Sequence, residues 1–165
     1  MAVETLKGID RILLFRVYKP TGVVAASKLA FQTEHEISMS RDVDSTKTKD
    51  GTRQVLGDVE IEISATSIVA KEDTVVGELK KAFLDGDIIE IWDIDRSGEG
   101  LLDKYPATYF QGYMTDFSQN PNAEDDVELS MDFAINAQGV EGEATLTAEQ
   151  NDVLQYAFAD TVAGE

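Results

Sequence analysis

The chain of 165 residues contains no cysteine and only three prolines. Without cysteine there is neither a disulfide framework nor a thiolate metal site, and this composition fits a protein made in a reducing cytoplasm. A chain of this length buries roughly 70% of the surface that its unfolded form exposes, which is enough for one conventional core. We therefore expect a single domain over residues 1–165.

Long hydrophobic runs are also missing. No window approaches the roughly 18 apolar residues of a membrane helix, and the N-terminal stretch M-A-V-E-T-L-K-G has no apolar core of signal-peptide length. No internal repeat or linker divides the chain. These absences predict neither secretion nor a membrane partner.

Positive charge is scarce and unevenly placed in a chain whose net charge is −18. Residues 1–104 carry all 14 bases against 20 acids, a net of −6, whereas residues 105–165 carry 12 acids and no Lys or Arg, a net of −12. Tight nucleic-acid binding needs clustered bases that neutralise phosphates. The pattern excludes such binding, and by itself it favours nothing more specific than solubility.

Residue types that usually carry catalysis are few. His35 is the only histidine, and its neighbours Glu34 and Glu36 indicate a charge-paired histidine at the surface. No serine lies in a G-x-S-x-G elbow, and among 32 acids no carboxylate pair stands out as acid and base. We predict no catalytic residue and no enzyme activity.

One motif resembles half of a calcium-binding loop. The stretch D-I-D-R-S-G at 93–98 has carboxylates at positions 1 and 3, a hydroxyl at 5 and glycine at 6. Position 12 is Lys104 where a bidentate Glu is needed, and the preceding segment has a strand pattern. A second partial match at 42–46 has Lys47 and Arg53 at positions 6 and 12. We predict an acidic turn after a strand, no metal site and no cofactor, with weak calcium binding at 93–104 as the alternative.

Hydrophobic periodicity predicts a mostly β fold of the α+β class. Asp73 can cap a helix over 74–84 that Gly86 ends. Residues 147–150 have the spacing of a capping box, so 148–158 is either a second helix or a terminal strand. A loop with Gly98, Gly100 and Pro106 separates two strands. The strands are predicted at 9–18, 28–37, 58–64, 87–95, 107–117 and 126–136. Six or seven strands with one flanking helix indicate an antiparallel β-sandwich or open barrel.

Two predicted strands alternate cleanly between apolar and acidic residues. Val59, Ile61 and Ile63 should point inward from the first, as should Leu129, Met131 and Phe133 from the second. The outward acids of these two strands are Asp58, Glu60, Glu62, Asp126, Glu128 and Asp132. One face is therefore core, and the other is wet and anionic.

Residues 41–53, R-D-V-D-S-T-K-T-K-D-G-T-R, hold four of the 14 bases and no large hydrophobe beyond Val43. Such residues prefer turns to β-ladders, so we expect a long solvated loop at about 39–55. Loops longer than about a dozen residues are uncommon in compact domains and are usually functional or disordered. The segment is predicted to be an arm, with a disordered surface loop as the alternative.

The stretches L-A-F-Q-T-E-H at 29–35 and S-R-D-V-D-S-T-K-T-K-D-G at 40–51 resemble the major tail protein of long, non-contractile-tailed bacteriophages, the siphophages. The resemblance extends to G-I-D-R-I-L-L-F-R at 8–16 and Q-Y-A-F-A-D-T at 155–161, so it covers most of the chain in order. It implies a tail-tube subunit: a β-sandwich with one flanking helix that forms rings, usually of six, stacked around the DNA path. Such a protein is assembled in the host bacterial cytoplasm and resides in the virion.

The resemblance implies roles for the residues above. The arm would reach an adjacent ring, and the acids of the two alternating strands would line a lumen through which DNA passes without specific binding. The terminal segments 1–8 and 147–165 would take part in assembly, and tape-measure and tail-terminator proteins would be partners. The arm residues are Arg41, Asp42, Asp44, Lys47, Lys49, Asp50 and Arg53.

Two other functions share these features. A monomeric β-sandwich module that binds carbohydrate or calcium would have the same strands, acidity and lack of catalysis. A tube subunit of a secretion machine would have a similar fold. Size distribution separates the module from the tube subunits, because a module stays monomeric at high concentration.

Overall fold

The computed structural model describes residues 3–19, 26–28, 31–71, 73–97 and 104–146. The predicted segment 148–158 lies outside these ranges. Within them, seven strands and one α-helix confirm the predicted element content. The elements are β1 (Arg11–Val17), β2 (Ser27–Lys28), β3 (Gln32–Thr48), β4 (Gly51–Ile68), α1 (Thr74–Asp85), β5 (Ile88–Asp95), β6 (Lys104–Asn120) and β7 (Glu128–Thr145).

All seven strands belong to one antiparallel sheet with the order β2-β1-β5-β6-β7-β4-β3. The sheet curls on itself, as a contact between its second and last strands shows. The side-chain amide of Gln32 on β3 hydrogen bonds to the backbone of Leu13 on β1 at 3.1 and 2.7 Å. In a flat sheet, two strands five positions apart would be separated by about 24 Å. The predicted open barrel with one helix is therefore confirmed.

The main core fills the inner face of the curled sheet. It combines side chains from β1, β4, β5, β6, β7 and α1. Phe15 and Phe133 stack there with ring centroids 5.6 Å apart. The largest fully buried members are Leu13, Phe15, Ile63, Leu79, Ile89, Ile91, Phe110, Leu129, Met131 and Phe133.

The predicted helix is present and begins and ends as expected. Asp73 accepts a hydrogen bond from the backbone N–H of Val75 at 3.1 Å, and Gly86 has the left-handed φ of 73° that lets the chain leave the last turn. The buried face of α1 consists of Val76, Leu79 and Ala82. No helix in the described ranges has the length and apolar character needed to cross a bilayer.

Strand β1 is apolar on both faces because it separates two clusters. Leu13 and Phe15 point into the main core, whereas Ile12 and Leu14 pack with Ile94 and Leu146 on the other face. Both faces of β1 are therefore covered, and the strand lies between β2 and β5 in the sheet.

Several predicted boundaries were wrong. The strand expected at 28–37 is interrupted, because Phe31 has a φ of 53° and only Gln32 begins the long strand β3. Pro106 lies inside β6, opposite Glu143, instead of in a loop. On its other side Pro106 has no partner on β5, because β5 pairs with β6 only from Ala107 onward.

Strand β7 also continues nine residues past its predicted end at 136. Ala137, Gln138 and Gly139 form a bulge opposite Phe110, and the ladder with β6 resumes at Val140. Gly139 has a φ of 78°, and a Cβ there would lie 2.6 Å from the Phe110 ring. The A-Q-G sequence has the composition of a turn, but here it bends one strand.

Candidate assembly surfaces

The segment predicted as a loop is a two-stranded β-ribbon. The ribbon consists of residues 41–56, in which the ends of β3 and β4 pair from Val43 with Leu56 to Thr48 with Gly51 around a turn at Lys49 and Asp50. Every ribbon residue is exposed. The expectation of an exposed arm agrees with this structure, but the expectation that the segment avoids a β-ladder was wrong. Cross-strand pairing satisfies its backbone polar groups despite the poor β-propensity of its residues.

The charges of the ribbon are concentrated near its turn. Lys47, Lys49 and Arg53 surround the turn, while Arg41 at the base donates its Nε–H to the carbonyl of Gly57 at 2.9 Å. The acids of the ribbon are Asp42, Asp44 and Asp50, so the ribbon carries a net +1 and the rest of the chain −19. No ion pair within the described residues involves any of the four bases.

The outward faces of four adjacent strands form one acidic surface. Register aligns Glu62 with Ser38 on β3 and Ala134 on β7, so their side chains share a face. This acidic face consists of the exposed residues Glu34, Glu36, Asp58, Glu60, Glu62, Asp116, Glu128 and Asp132. No Lys or Arg lies at the face positions of these strands between 34 and 40, 58 and 68, 116 and 120, or 128 and 136.

Five of the six acids predicted to share a face do so. The sixth, Asp126, is exposed in the loop before β7, because that strand begins at Glu128. Glu34, Glu36 and Asp116 were missed. Alternation along a single strand can show that a side chain points away from the core. Only the register between strands places Glu34, Glu36 and Asp116 on the same surface as Glu62.

A buried ionic group joins three strands inside the barrel. The carboxylate of Asp93 on β5 accepts hydrogen bonds from Arg11 on β1 and lies 3.2 Å from Nε2 of His35 on β3. The side chain of His35 is only 13% exposed, so the prediction of a surface histidine paired with its neighbouring glutamates was wrong. Burial lowers the pKa of His35, and the positive charge of Arg11 lowers it further.

The partial calcium motif is split between two different environments. Asp93 interacts with Arg11 and His35 inside the barrel. Asp95 instead accepts hydrogen bonds from the N–H of Ser97 at 2.9 Å and from the Ser97 hydroxyl at 2.6 Å. These two bonds form the predicted acidic turn, and residues 98–103 lie outside the described ranges. Among the residues described, no three His, Asp or Glu side chains are arranged to hold a metal ion.

A second buried carboxylate lies on the opposite side of β5. Glu90 is 5% exposed. Its carboxylate accepts hydrogen bonds from two nitrogens of Arg16, Nε at 2.5 Å and Nη2 at 3.0 Å, and from the hydroxyl of Tyr109. The guanidinium of Arg16 also lies 4.8 Å from the centre of the Trp92 ring. Burial alone would raise the pKa of Glu90, but the bonds from Arg16 and Tyr109 outweigh it and lower that pKa.

These two polar groups suit structural roles. Each carboxylate is neutralised by an arginine of the neighbouring strand β1. Each pair joins β1 to β5, the strand next to it in the sheet. Among the described residues, the ribbon and the acidic face are two surfaces exposed to other molecules.

The chain is similar to proteins of phage tails in sequence. A model of the family described as phage tail tube protein matches residues 5–141. A putative tail protein of Staphylococcus phage phiMR25 is 31% identical over 162 residues, which cover 94% of this chain and 83% of that protein.

The fold is similar to that of solved tube proteins. The SPP1 tail tube has a TM-score of 0.77 at 18% identity, covering 98% of this chain and 96% of that chain. The tail of an empty gene transfer agent particle, solved with C6 symmetry, has a TM-score of 0.62 at 14% identity, covering 87% and 100%. A baseplate chain of the anti-feeding prophage also has a TM-score of 0.62, at 6% identity, covering 88% and 98%. The chain belongs to the phage tail tube protein family and is a structural, non-enzymatic subunit of the virion tail.

Proposed function

We propose that this chain forms rings, of six subunits, that stack into a hollow tube for DNA ejection, with the ribbon reaching the adjacent ring and the acidic face lining the bore. The observation that carries the proposal is the contrast between a protruding ribbon of net +1 and a remaining body of −19. Stacking requires heterologous contacts, in which one surface meets a different surface of the neighbour.

Lateral closure of the ring is supported by the outer edge of β3, with which no described strand pairs. This 17-residue strand is at the end of the sheet, and β2 at the other end has only two residues. Long exposed edges can pair with another chain. A neighbouring subunit that pairs with β3 would extend the sheet around the ring. The C6 symmetry of the similar gene transfer agent tail supports six copies.

Axial stacking is assigned to the ribbon. Its tip residues Lys47, Lys49 and Arg53 are complementary in charge to the acidic body of a subunit in the next ring, which carries −19 outside its own ribbon. An exposed ion pair contributes only about 0–1 kcal/mol, so simultaneous docking of six ribbons from one ring would supply the necessary avidity. The terminal segments 1–8 and 147–165 would add further contacts.

The acidic face is assigned to the bore because phosphate and carboxylate repel each other. A bore lined by Glu60, Glu62 and Asp132 would keep DNA from adhering, and the absence of bases on that face removes the contacts on which DNA binding depends. DNA would then pass without specific recognition. Tape-measure and tail-terminator proteins are the partners expected inside and at the end of such a tube.

The test replaces four ribbon bases in one variant, Arg41→Ser, Lys47→Ser, Lys49→Ser and Arg53→Ser. We expect folded monomers or rings that fail to stack, seen by negative-stain electron microscopy. Lys80→Ser and Lys81→Ser on the exposed side of α1 form the control, which removes bases elsewhere and should leave tubes intact. Tubes of normal length from the ribbon variant would refute the role of the ribbon.

A tube subunit of an injection or secretion machine is the second candidate. The likeness to the anti-feeding prophage chain shows that this fold also occurs there, at 6% identity. The sequence similarity to a phage tail protein, at 31% identity, favours the phage tail. A monomeric carbohydrate-binding module would stay near 18.1 kDa at every concentration, which size-exclusion chromatography with light scattering would reveal.

A further inference from the structure

The ribbon carries an exposed apolar stripe in addition to its charges. The stripe consists of Met39, Val43 and Leu56, whose exposed fractions are 61%, 51% and 60%. Met39 and Val43 lie on the same face of β3 as Ile37, which packs against the main core, and Arg41 lies between them on that face. Leu56 is directly opposite Val43 in the ladder. The stripe therefore continues the core face of the sheet onto a part of the molecule where nothing among the described residues covers it.

A β-bulge creates this arrangement. Asp42 on β3 faces both Gly57 and Asp58 on β4, because the ladder passes from Arg41 with Val59 to Val43 with Leu56. One extra residue in a strand reverses which side chains point to each face. Without the bulge, Leu56 would point to the acidic face with Asp58. The bulge therefore places an apolar residue beside Val43 and leaves the acidic face free of it.

The inner end of the stripe borders a recess. Met39 and Ile37 line a cavity of about 460 Å³ together with Phe110 and Gly139 from the bulged part of β6 and β7, and the rest of its lining is polar: Arg11, Asp93, Thr108, Gln138 and Glu141. Met39 therefore belongs both to the stripe and to the rim of a recess of mixed polarity. A partner side chain could enter the recess while the ribbon lies along the partner surface.

A second copy of this chain is the occupant that the charges favour. The ribbon has a net charge of +1, whereas the body of any copy carries −19. Two-stranded ribbons are marginally stable in water and gain stability when a third layer covers one face. Because the ion pairs of an exposed tip are weak and screened by salt, charge alone is a poor adhesive.

We propose that the apolar stripe is the surface by which the ribbon adheres to a second copy of this chain, while the basic tip orients the approach. The proposal rests on the ring-stacking function above and assigns its adhesive contact. Apolar burial depends little on dilute salt, so formed tubes should resist dissociation at salt concentrations that screen the tip charges.

The first experiment compares isosteric polar variants. The stripe variant combines Met39→Gln, Val43→Thr and Leu56→Gln, and the control combines Val55→Thr on the opposite ribbon face with Leu84→Gln on α1. Both control residues are exposed, at 47% and 71%. We expect the stripe variant to raise the protein concentration needed for tube formation at least tenfold, and the control to stay within twofold of the unchanged chain. Circular dichroism and Trp92 fluorescence verify that all three are folded.

The second experiment uses the absence of cysteine. Val43→Cys and Val55→Cys each provide a unique site for a polarity-sensitive fluorophore. Assembly should shift the emission to the blue at position 43 and leave it nearly unchanged at position 55. Equal shifts at both positions, or none at 43, would overturn the proposal. If the blue shift at position 43 is already complete at concentrations too low for assembly, residues of the same chain cover the stripe. That result would also overturn the proposal.

The outcomes separate this inference from the proposed function. If the unchanged chain forms no rings or tubes at any concentration, both proposals fail. If it forms tubes and the stripe variant forms them equally well, only the adhesive role of the stripe is wrong. Loss of tubes in the stripe variant with retention in the control supports the inference.

Discussion

Gln32 and Leu13 join the two sides of the curled sheet. The side-chain carbonyl of Gln32 accepts the Leu13 N–H at 3.1 Å, and its amide donates to the Leu13 carbonyl at 2.7 Å. Among the described residues, β2 pairs with β1 at Leu14 and Phe15. The Gln32 side chain hydrogen bonds to both polar backbone groups of the next residue, Leu13.

Gln32→Met should destabilise the fold, because it keeps the side-chain length but leaves both backbone groups of Leu13 unsatisfied. We expect a loss of about 2–4 kcal/mol in the free energy of unfolding. Urea denaturation followed by Trp92 fluorescence measures it. Gln54→Met in the exposed ribbon is the control and should change stability by less than about 0.5 kcal/mol. An equal effect of both variants would contradict the closure role.

Glu90→Gln should weaken the fold at neutral pH and flatten its response to acid. The pKa of Glu90 is lowered in the folded chain, so its stabilising contribution is present above the unfolded pKa of about 4.3 and disappears as the pH falls through the folded value. The variant leaves Arg16 without its carboxylate, at a cost of about 2–3 kcal/mol. Denaturation curves between pH 7 and pH 3 test this. Glu60→Gln on the acidic face is the exposed control, and a parallel pH profile for Glu90→Gln and the unchanged chain would refute the prediction.

Gly112→Ala should disrupt the close contact between β6 and β7. A Cβ at this position would lie 2.3 Å from the carbonyl oxygen of Ala134, so the backbones must separate. We expect a loss of about 3 kcal/mol and a melting temperature lower by roughly 6–12 °C. In contrast, Gly142→Ala meets no atom within 4 Å and should be neutral. Calorimetry that ranks the two variants equally would contradict this account.

Assembly should slow at low ionic strength. Each added subunit brings a net charge of −18, and the Debye length grows from about 8 Å at physiological salt to 30 Å at about 10 mM. Repulsion between whole subunits then outweighs attraction at the ribbon tip. Light scattering during tube growth, from about 10 mM to several hundred mM salt, measures the effect. A rate that does not change with salt would count against it.

Local patterns were sufficient for several elements of the fold. Asp73 and Gly86 mark the helix because capping and chain exit depend on neighbouring residues alone. The inward Ile61 and Ile63 follow from the period of two along one strand, which is equally local. In contrast, the ribbon was missed because its stability comes from pairing between residues such as Val43 and Leu56, which no single-strand pattern contains.

The candidate surfaces were likewise predictable only in part. The exposure and charge of Lys47, Lys49 and Arg53 were predictable from composition. The acidic face required the register between β3, β4 and β7, and the apolar stripe required a bulge that changes the direction of Leu56. His35 was assigned to the surface because its sequence neighbours are acids, whereas its actual partner, Asp93, lies 58 residues away.

The amino-acid sequence by itself determined the class of the protein: an acidic, cysteine-free chain, mostly β, with a capped helix and a polar basic segment that cannot enter a core. Its similarity to tail proteins identifies the family. The tertiary structure decided how strands combine, through the Gln32 closure, the buried ion pairs of Asp93 and Glu90, and the bulge at Asp42. Composition and periodicity act along the chain, whereas surfaces and closure arise from contacts between residues that are distant in sequence.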